Sequence, residues 1–129
     1  MSGYLLDTNA ALIALTEPAE LPPAVQIAAA KGPNFVSVVS YWEVMIKSMK
    51  GSLDVGDPRA WWHAALEDLA ATPLALRAEH VAGIYSLPPI HRDPFDRMLI
   101  SQAIAEDLEL VTIDREIPRY ASSRLRVVS

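Results

Sequence analysis

Cysteine is absent from the 129-residue chain. Disulfides, thiolate zinc sites and a cysteine nucleophile are thereby excluded, and the composition suits a reducing compartment. Long apolar runs are missing too: none approaches the ~20 residues that a helix needs to cross a bilayer. The start, Met1-Ser2-Gly3-Tyr4-Leu5-Leu6-Asp7, lacks a basic segment and meets an acid almost at once, unlike a secretory leader. The expectation is a cytoplasmic protein that does not engage a membrane. Excess positive charge is the third absence. A formal net charge of −5 argues against a broad electrostatic grip on nucleic acid. It leaves room for a site whose carboxylates hold a cation that supplies the missing charge. Histidine is sparse, and His63, His80 and His91 share no metal-ligand spacing, so all three are expected to be non-catalytic, with His91 nearest the acids yet structural.

What is present reads as one domain spanning 1–129, with 51% hydrophobic and 21% charged residues, enough to bury a core without staples. Short β-like runs alternate with helical stretches, the pattern of βαβ units. Strands are expected at Tyr4–Leu6, Phe35–Val39, Leu74–Leu76, Leu110–Ile113 and Leu125–Val128. Helices are expected from near Ala10, over Pro22–Lys31, from a Ser40 cap to Lys50, from Asp57-Pro58 to Ala71, over Ala78–Leu87, from Asp93-Pro94 to Asp107, and briefly over Asp114–Tyr120. The fold class is α/β: a three-layer sandwich with a four- to five-stranded, mostly parallel sheet. Its first strand is central, because buried parallel strands are continuously apolar.

Four acids fall where such a fold gathers ligands. Asp7 and Asp114 each follow a strand directly. Glu43 and Asp96 are expected in the first turns of helices that begin at the same rim. Open parallel sheets bind ligands outside the carboxyl ends of their strands. Taken singly, each acid has an ordinary explanation. Asp7 and Asp114 would serve as caps, Asp96 as a capping-box partner to Asp93, and Glu43 as an i, i+4 salt pair with Lys47. Taken together on one rim, they repel one another unless a hard divalent cation is present, and magnesium prefers such oxygen ligands. One or two such ions suit hydrolysis of a phosphodiester.

The segments Tyr4-Leu5-Leu6-Asp7-Thr8-Asn9, Ser40-Tyr41-Trp42-Glu43, His91-Arg92-Asp93-Pro94-Phe95-Asp96-Arg97-Met98-Leu99 and Val111-Thr112-Ile113-Asp114 resemble PIN domains, and among them VapC-type toxins of bacterial toxin–antitoxin pairs. The resemblance runs over nearly the whole chain, and the His-Arg-Asp-Pro-Phe-Asp-Arg block is its most specific part. It implies magnesium- or manganese-dependent endoribonuclease activity, with Asp7, Glu43 and Asp96 matching the three core metal-holding acids and Asp114 the fourth, more variable one. It also implies a homodimer held by a cognate antitoxin, which often sets a cation near the acids. The alternatives are a metal-dependent phosphoesterase acting on DNA or another ester, and a non-catalytic binding module of the same fold.

Thr8, Asn9 and Thr112 are candidates to orient the acids, whereas Ser40 is expected only to cap. Lys47, Lys50, Arg97 and Arg115 are candidate phosphate contacts. Trp42, Met45, Ile46 and Met49, and likewise Trp62, Leu66 and Leu69, form helical stripes expected in the core. Trp61, or Ala24, Ile27 and Ala28, would face a partner.

Overall fold

The computed structural model describes residues 2–129. Its strands are β1 (Tyr4–Leu6), β2 (Asn34–Ser37), β3 (Ala71–Leu74), β4 (Glu109–Val111) and β5 (Val127–Val128). Its helices are α1 (Thr8–Thr16), α2 (Pro23–Lys31), α3 (Val38–Met49), α4 (Pro58–Asp68), α5 (Ala78–Gly83) and α6 (Pro94–Glu106). The strands form one sheet in the order β3-β2-β1-β4-β5, and every neighbouring pair is parallel. The α/β sandwich with β1 at its centre is as expected, and the sheet is wholly parallel.

Period-two alternation sets the two faces of β1. Leu5 lies in register with Phe35 and Leu110, and these pack with Leu99, Ile100 and Ala103 of α6. Tyr4, Leu6 and Val111 turn the other way, onto Ala10 and Ala11 of α1 and Val25 and Ala28 of α2. Both faces of β1 are therefore dry, which is why its three residues read as a continuous apolar run. The chain passes from β1 to β2 on one side and reaches β4 on the other only after β3, α5 and α6. The order reverses between β1 and β4, and there the crevice of a parallel sheet opens.

Gly3 fixes the entry to β1. Its φ is +140°, and a Cβ there would lie 2.7 Å from the Pro33 carbonyl oxygen. Gly3→Ala is expected to cost about 1–3 kcal/mol in urea unfolding, from strain and backbone clash together.

Several boundaries differ from the expectations. Helix α3 begins at Val38 because Ser37, not Ser40, is its cap: Ser37 Oγ accepts the Val39 N–H at 3.0 Å. That cap and the sheet edge override the β preference of Val38 and Val39. Glu43 consequently sits in the second turn. Helix α4 stops at Asp68, and Ala70 turns left-handed (φ 49°) into β3, three residues earlier than expected. Pro73 is tolerated in β3 because an edge strand needs hydrogen bonds on one side only. The expected helix at Asp114–Tyr120 is a 3-10 turn over Ile117–Tyr120.

The largest difference concerns the faces of α3. Trp42 is 56% exposed and Met49 is 80% exposed, while Val39, Ser40, Glu43 and Val44 face inward. The helix turns its acid, rather than its most apolar stripe, toward the interior. Trp62 is buried against the ring of Tyr41, with centroids 4.7 Å apart, and Leu66 and Leu69 are half-buried. On α2, Ala24 and Ile27 are exposed, but Ala28 belongs to the core.

Candidate functional site

The carboxyl ends of β1 and β4 lie side by side, tied by the Asp7 N–H donating to the Val111 carbonyl at 2.9 Å. Asp7 does two things there. Its Oδ1 accepts the Ala10 N–H at 2.8 Å and caps α1, while its Oδ2 accepts the Thr112 hydroxyl. The same Thr112 oxygen accepts the Asp114 N–H at 2.9 Å. One fully buried threonine therefore joins the acid after β1 to the acid after β4. Asp114 closes its own turn, with Oδ1 accepting the Glu116 N–H at 2.7 Å.

Glu43 enters from α3. It is 3% exposed, and its Oε2 meets Lys47 Nζ at 2.7 Å. Its Oε1 is buried and accepts no hydrogen bond among the described residues. In the second turn of α3 it gains little from the helix dipole, which fades within the first. Lys47 is its compensating charge, and that contact with Glu43 raises the lysine's own pKa. The i, i+4 salt pair is thus real, and it leaves one oxygen of a buried acid unspent.

Asp96 enters from the first turn of α6. The capping is done by Asp93, whose Oδ1 accepts the N–H groups of Phe95 and Asp96. The Asp96 side chain instead lies with its Oδ2 3.0 Å from His91 Nε2, and Asp114 Oδ2 is 3.3 Å from the same nitrogen. His91 is therefore in the site, contrary to its expected structural place. Its position five residues before Asp96, ahead of the Asp-Pro helix start, is the signal that could have located it.

Electrostatics mark the acids as one cluster. Burial pushes Asp7 up to about 6, with Asp114 and Glu43 adding repulsion against the hydrogen bonds from Thr112 and Ala10. Burial also pushes Asp96 up to about 7, helped by Asp93, Asp7 and Glu43 and opposed by His91. Desolvated carboxylates that raise one another are costly to ionise. A buried acid oxygen without a donor is costly as well. Among the described residues, the side-chain ligand atoms of His91, Asp96 and Asp114 lie within 4.8 Å of one another; Asp7 and Glu43 lie outside that group and join it through repulsion. A donor set this rich in carboxylates fits a hard divalent cation.

The other candidates are distributed unevenly. Thr8 donates to Ser40 Oγ at 2.9 Å, so both hydroxyls brace α1 against α3 rather than bonding an acid. Ser40 is buried and is not a cap. Asn9 and Arg115 are exposed beside Asp7 and Asp114, whereas Lys50, also exposed, caps the far C-terminal end of α3. Arg97 is spent elsewhere: its guanidinium donates to the carbonyls of Pro88, His91 and Ile84 and to Tyr120 Oη, which fixes the loop before α6. His80 is fully buried, with Nε2 on Glu106 at 2.9 Å and Nδ1 accepting the Arg77 N–H. His63 is exposed.

Thr112→Val tests the central link. The swap keeps shape but strands a buried carboxylate oxygen and the Asp114 N–H. It is expected to cost about 1–3 kcal/mol in unfolding. It should also move the Asp7 titration above about 6 by NMR, because the hydroxyl now lowers it.

A model of the PIN domain matches residues 4–122. The fold is similar to that of the VapBC2 complex of Rickettsia felis bound to a DNA fragment from its promoter, at 18% identity over 100% of both chains and a TM-score of 0.67. It is also similar to DNA-bound VapBC from Salmonella typhimurium, at 16% identity over 98% of this chain and 97% of that one, TM-score 0.67. VapBC-5 from Mycobacterium tuberculosis is similar at 19% identity, 98% and 97% coverage and a TM-score of 0.61. Among curated proteins, none matches the chain. With the family model matched over most of its length and the fold shared end to end, the chain belongs to the PIN domain family.

Proposed function

We propose that this chain is a metal-dependent endoribonuclease, the toxin of a toxin–antitoxin pair, with Asp7, Glu43, Asp96 and Asp114 holding magnesium or manganese. The observation that carries the reading is the unspent, buried Oε1 of Glu43 beside two carboxylates raised by burial and mutual repulsion. Nucleases are what PIN domains generally are, and the similar VapBC structures are toxin–antitoxin complexes, which supports the partner assignment.

Bound among these acids, a divalent cation supplies Lewis-acid activation of water and neutralises charge at the phosphodiester. The chain's own groups do the rest. Thr112 and the Ala10 N–H hold the two oxygens of Asp7 in fixed directions. Lys47 Nζ pairs with Glu43 Oε2 at 2.7 Å, and its half-exposed ammonium is also available to incoming phosphate. Arg115 lies exposed beside Asp114 for the RNA backbone, and Lys50, at the far end of α3, meets only RNA that runs along that helix. Arg97, already committed to the loop before α6, is dropped from that role. Hydrolysis by water leaves a 5′-phosphate and a 3′-hydroxyl, with no side-chain nucleophile. The reading includes a cytoplasmic homodimer bound by its antitoxin; among the described residues, no helix is long and apolar enough to cross a membrane.

The test is purified, partner-free protein incubated with labelled RNAs of mixed structure, with Mg2+, with Mn2+ and with excess chelator. Cleavage in either metal, abolished by chelator, is the expected result. No cleavage of any RNA, with no heat of metal binding by calorimetry, would overturn the reading.

A further inference from the structure

His91 belongs to none of the four acid positions, yet one nitrogen of its ring touches two of them. Nε2 lies 3.0 Å from Asp96 Oδ2 and 3.3 Å from Asp114 Oδ2. The residue is held from both sides of its backbone. Its N–H donates to Tyr120 Oη at 2.6 Å, and its carbonyl accepts from Arg97 at 3.3 Å. The ring is held as well, because Nδ1 accepts the Asp93 N–H at 3.2 Å.

That last contact decides what the ring can do. A neutral imidazole carries one proton, and a nitrogen that accepts a hydrogen bond does not carry it. The proton therefore sits on Nε2, and an N–H rather than a lone pair faces the two carboxylates. Ligation of a metal through Nε2 would move the proton to Nδ1 and set it against the Asp93 N–H. The geometry suits a donor, not a ligand.

We propose that His91 is a positioning residue: through Nε2–H it brings Asp96, from the first turn of α6, and Asp114, from the loop after β4, to a common edge of the metal site. The proposal rests on the metal-binding reading above and deepens it. Arg97 of α6 meets Tyr120, beyond Asp114, at 3.3 Å, but among the described residues no other side chain bonds both carboxylates. Thr112 reaches Asp114 and Asp7 but not Asp96, and Asp93 bonds the Asp96 backbone but not its carboxylate. Without a shared donor, two like charges would turn apart, and a cation would have to gather them at its own expense.

The test uses Mn2+ alone, with affinity read by calorimetry at one fixed pH on the full chain. His91→Leu, which keeps bulk but has no donor, is expected to weaken Mn2+ binding by roughly ten- to a hundredfold, the usual effect of losing an outer hydrogen-bond partner of a metal ligand. His91→Gln places an amide N–H near the position of Nε2 and is expected to restore most of that affinity. A purely structural role would not distinguish the two variants. Independently of either, nitrogen NMR of the metal-free wild type should show the Nε2–H tautomer, and electron–nuclear double resonance of the Mn2+ form should show no directly bonded nitrogen. Equal affinities in wild type, His91→Leu and His91→Gln, an Nδ1–H tautomer, or a bonded nitrogen would each overturn the role while leaving the metal site standing. Absence of Mn2+ binding by the wild type and both variants would overturn the metal reading, and this role with it.

Discussion

Asp96→Asn is expected to reduce RNA cleavage by more than about a hundredfold, since loss of even an outer-shell partner of a metal costs 10–100-fold, and at the same time to make the metal-free protein more stable near pH 7. The two effects have one cause. Asp96 is pushed up to about 7 by burial and by its acidic neighbours. Near pH 7 the folded protein therefore bears the cost of ionising it, a cost the unfolded chain escapes. Asparagine keeps the shape, cannot ionise and relieves the repulsion on Asp7. A cation repays that cost in the wild type, so the mutant should lose the metal-induced rise in melting temperature as well as activity. Calorimetric melting with chelator and with Mn2+, beside a cleavage assay, reads both effects. Retained cleavage, or a metal-free mutant less stable than wild type, would count against the assignment.

The wild type should also show an inverted pH profile when stripped of metal. Both Asp7 and Asp96 have folded-state values above the ordinary carboxylate value of 3.8, at about 6 and about 7. Between those limits the folded chain binds more protons than the unfolded one, so stability falls as pH rises. The contribution is complete below about pH 4 and is lost by about pH 7. Asp7 alone accounts for about 3 kcal/mol on the usual conversion. Asp57, held down to about 2 by Arg59 at the start of α4, acts in the opposite sense, but only below pH 4. Glu20, raised by its neighbour Glu17, acts in the same sense as the site but is fully exposed, so Glu20→Gln serves as the background for the measurement between pH 4 and 7. Saturating Mn2+ should flatten or reverse the slope, adding about 3 kcal/mol at a hundredfold excess over its dissociation constant. Urea unfolding at several pH values, with and without metal, would show it. A metal-free protein that gains stability steadily from pH 4 to 7 would contradict the raised values.

Central β1 was legible because burial on both faces leaves a run with no polar residue, and that run ended on Asp7. The rim position of Asp7 and Asp114 followed from strand ends, which are hard to mistake in a parallel sheet. Glu43 was located in the right helix but a turn too early, because Val38 and Val39 favour a strand and only the tertiary setting lets Ser37 start the helix. The stripe on α3 was half right, since Met45 and Ile46 are half-buried but Trp42 and Met49 are exposed, for a related reason. Apolar periodicity assumes that the interior takes the greasiest stripe, whereas here a buried acid and Ser40 occupy that side. His91, nearest the site of the three histidines, was still read as structural because they share no ligand spacing; only the fold shows its loop turning Nε2 back onto Asp96. Arg97 was misjudged in the opposite way: adjacency to Asp96 says nothing of carbonyls brought near by Ile84, Pro88 and His91.

The strand order also dictates when the protein becomes itself during synthesis. Asp7 and the threonine that holds it are 105 positions apart, and β1 pairs with β4 through Tyr4 and Glu109. A growing chain can pair β1 with β2 early, but one edge of the central strand stays bare until residues 109–111 have left the ribosome. At about 5–20 residues added per second, that delay lasts several seconds. Throughout it the four acids lie on unconnected stretches of polypeptide. Long-range pairing of this kind is slow to form, so the chain carries its own timing: the site cannot assemble before β4 and the acid after it have been made.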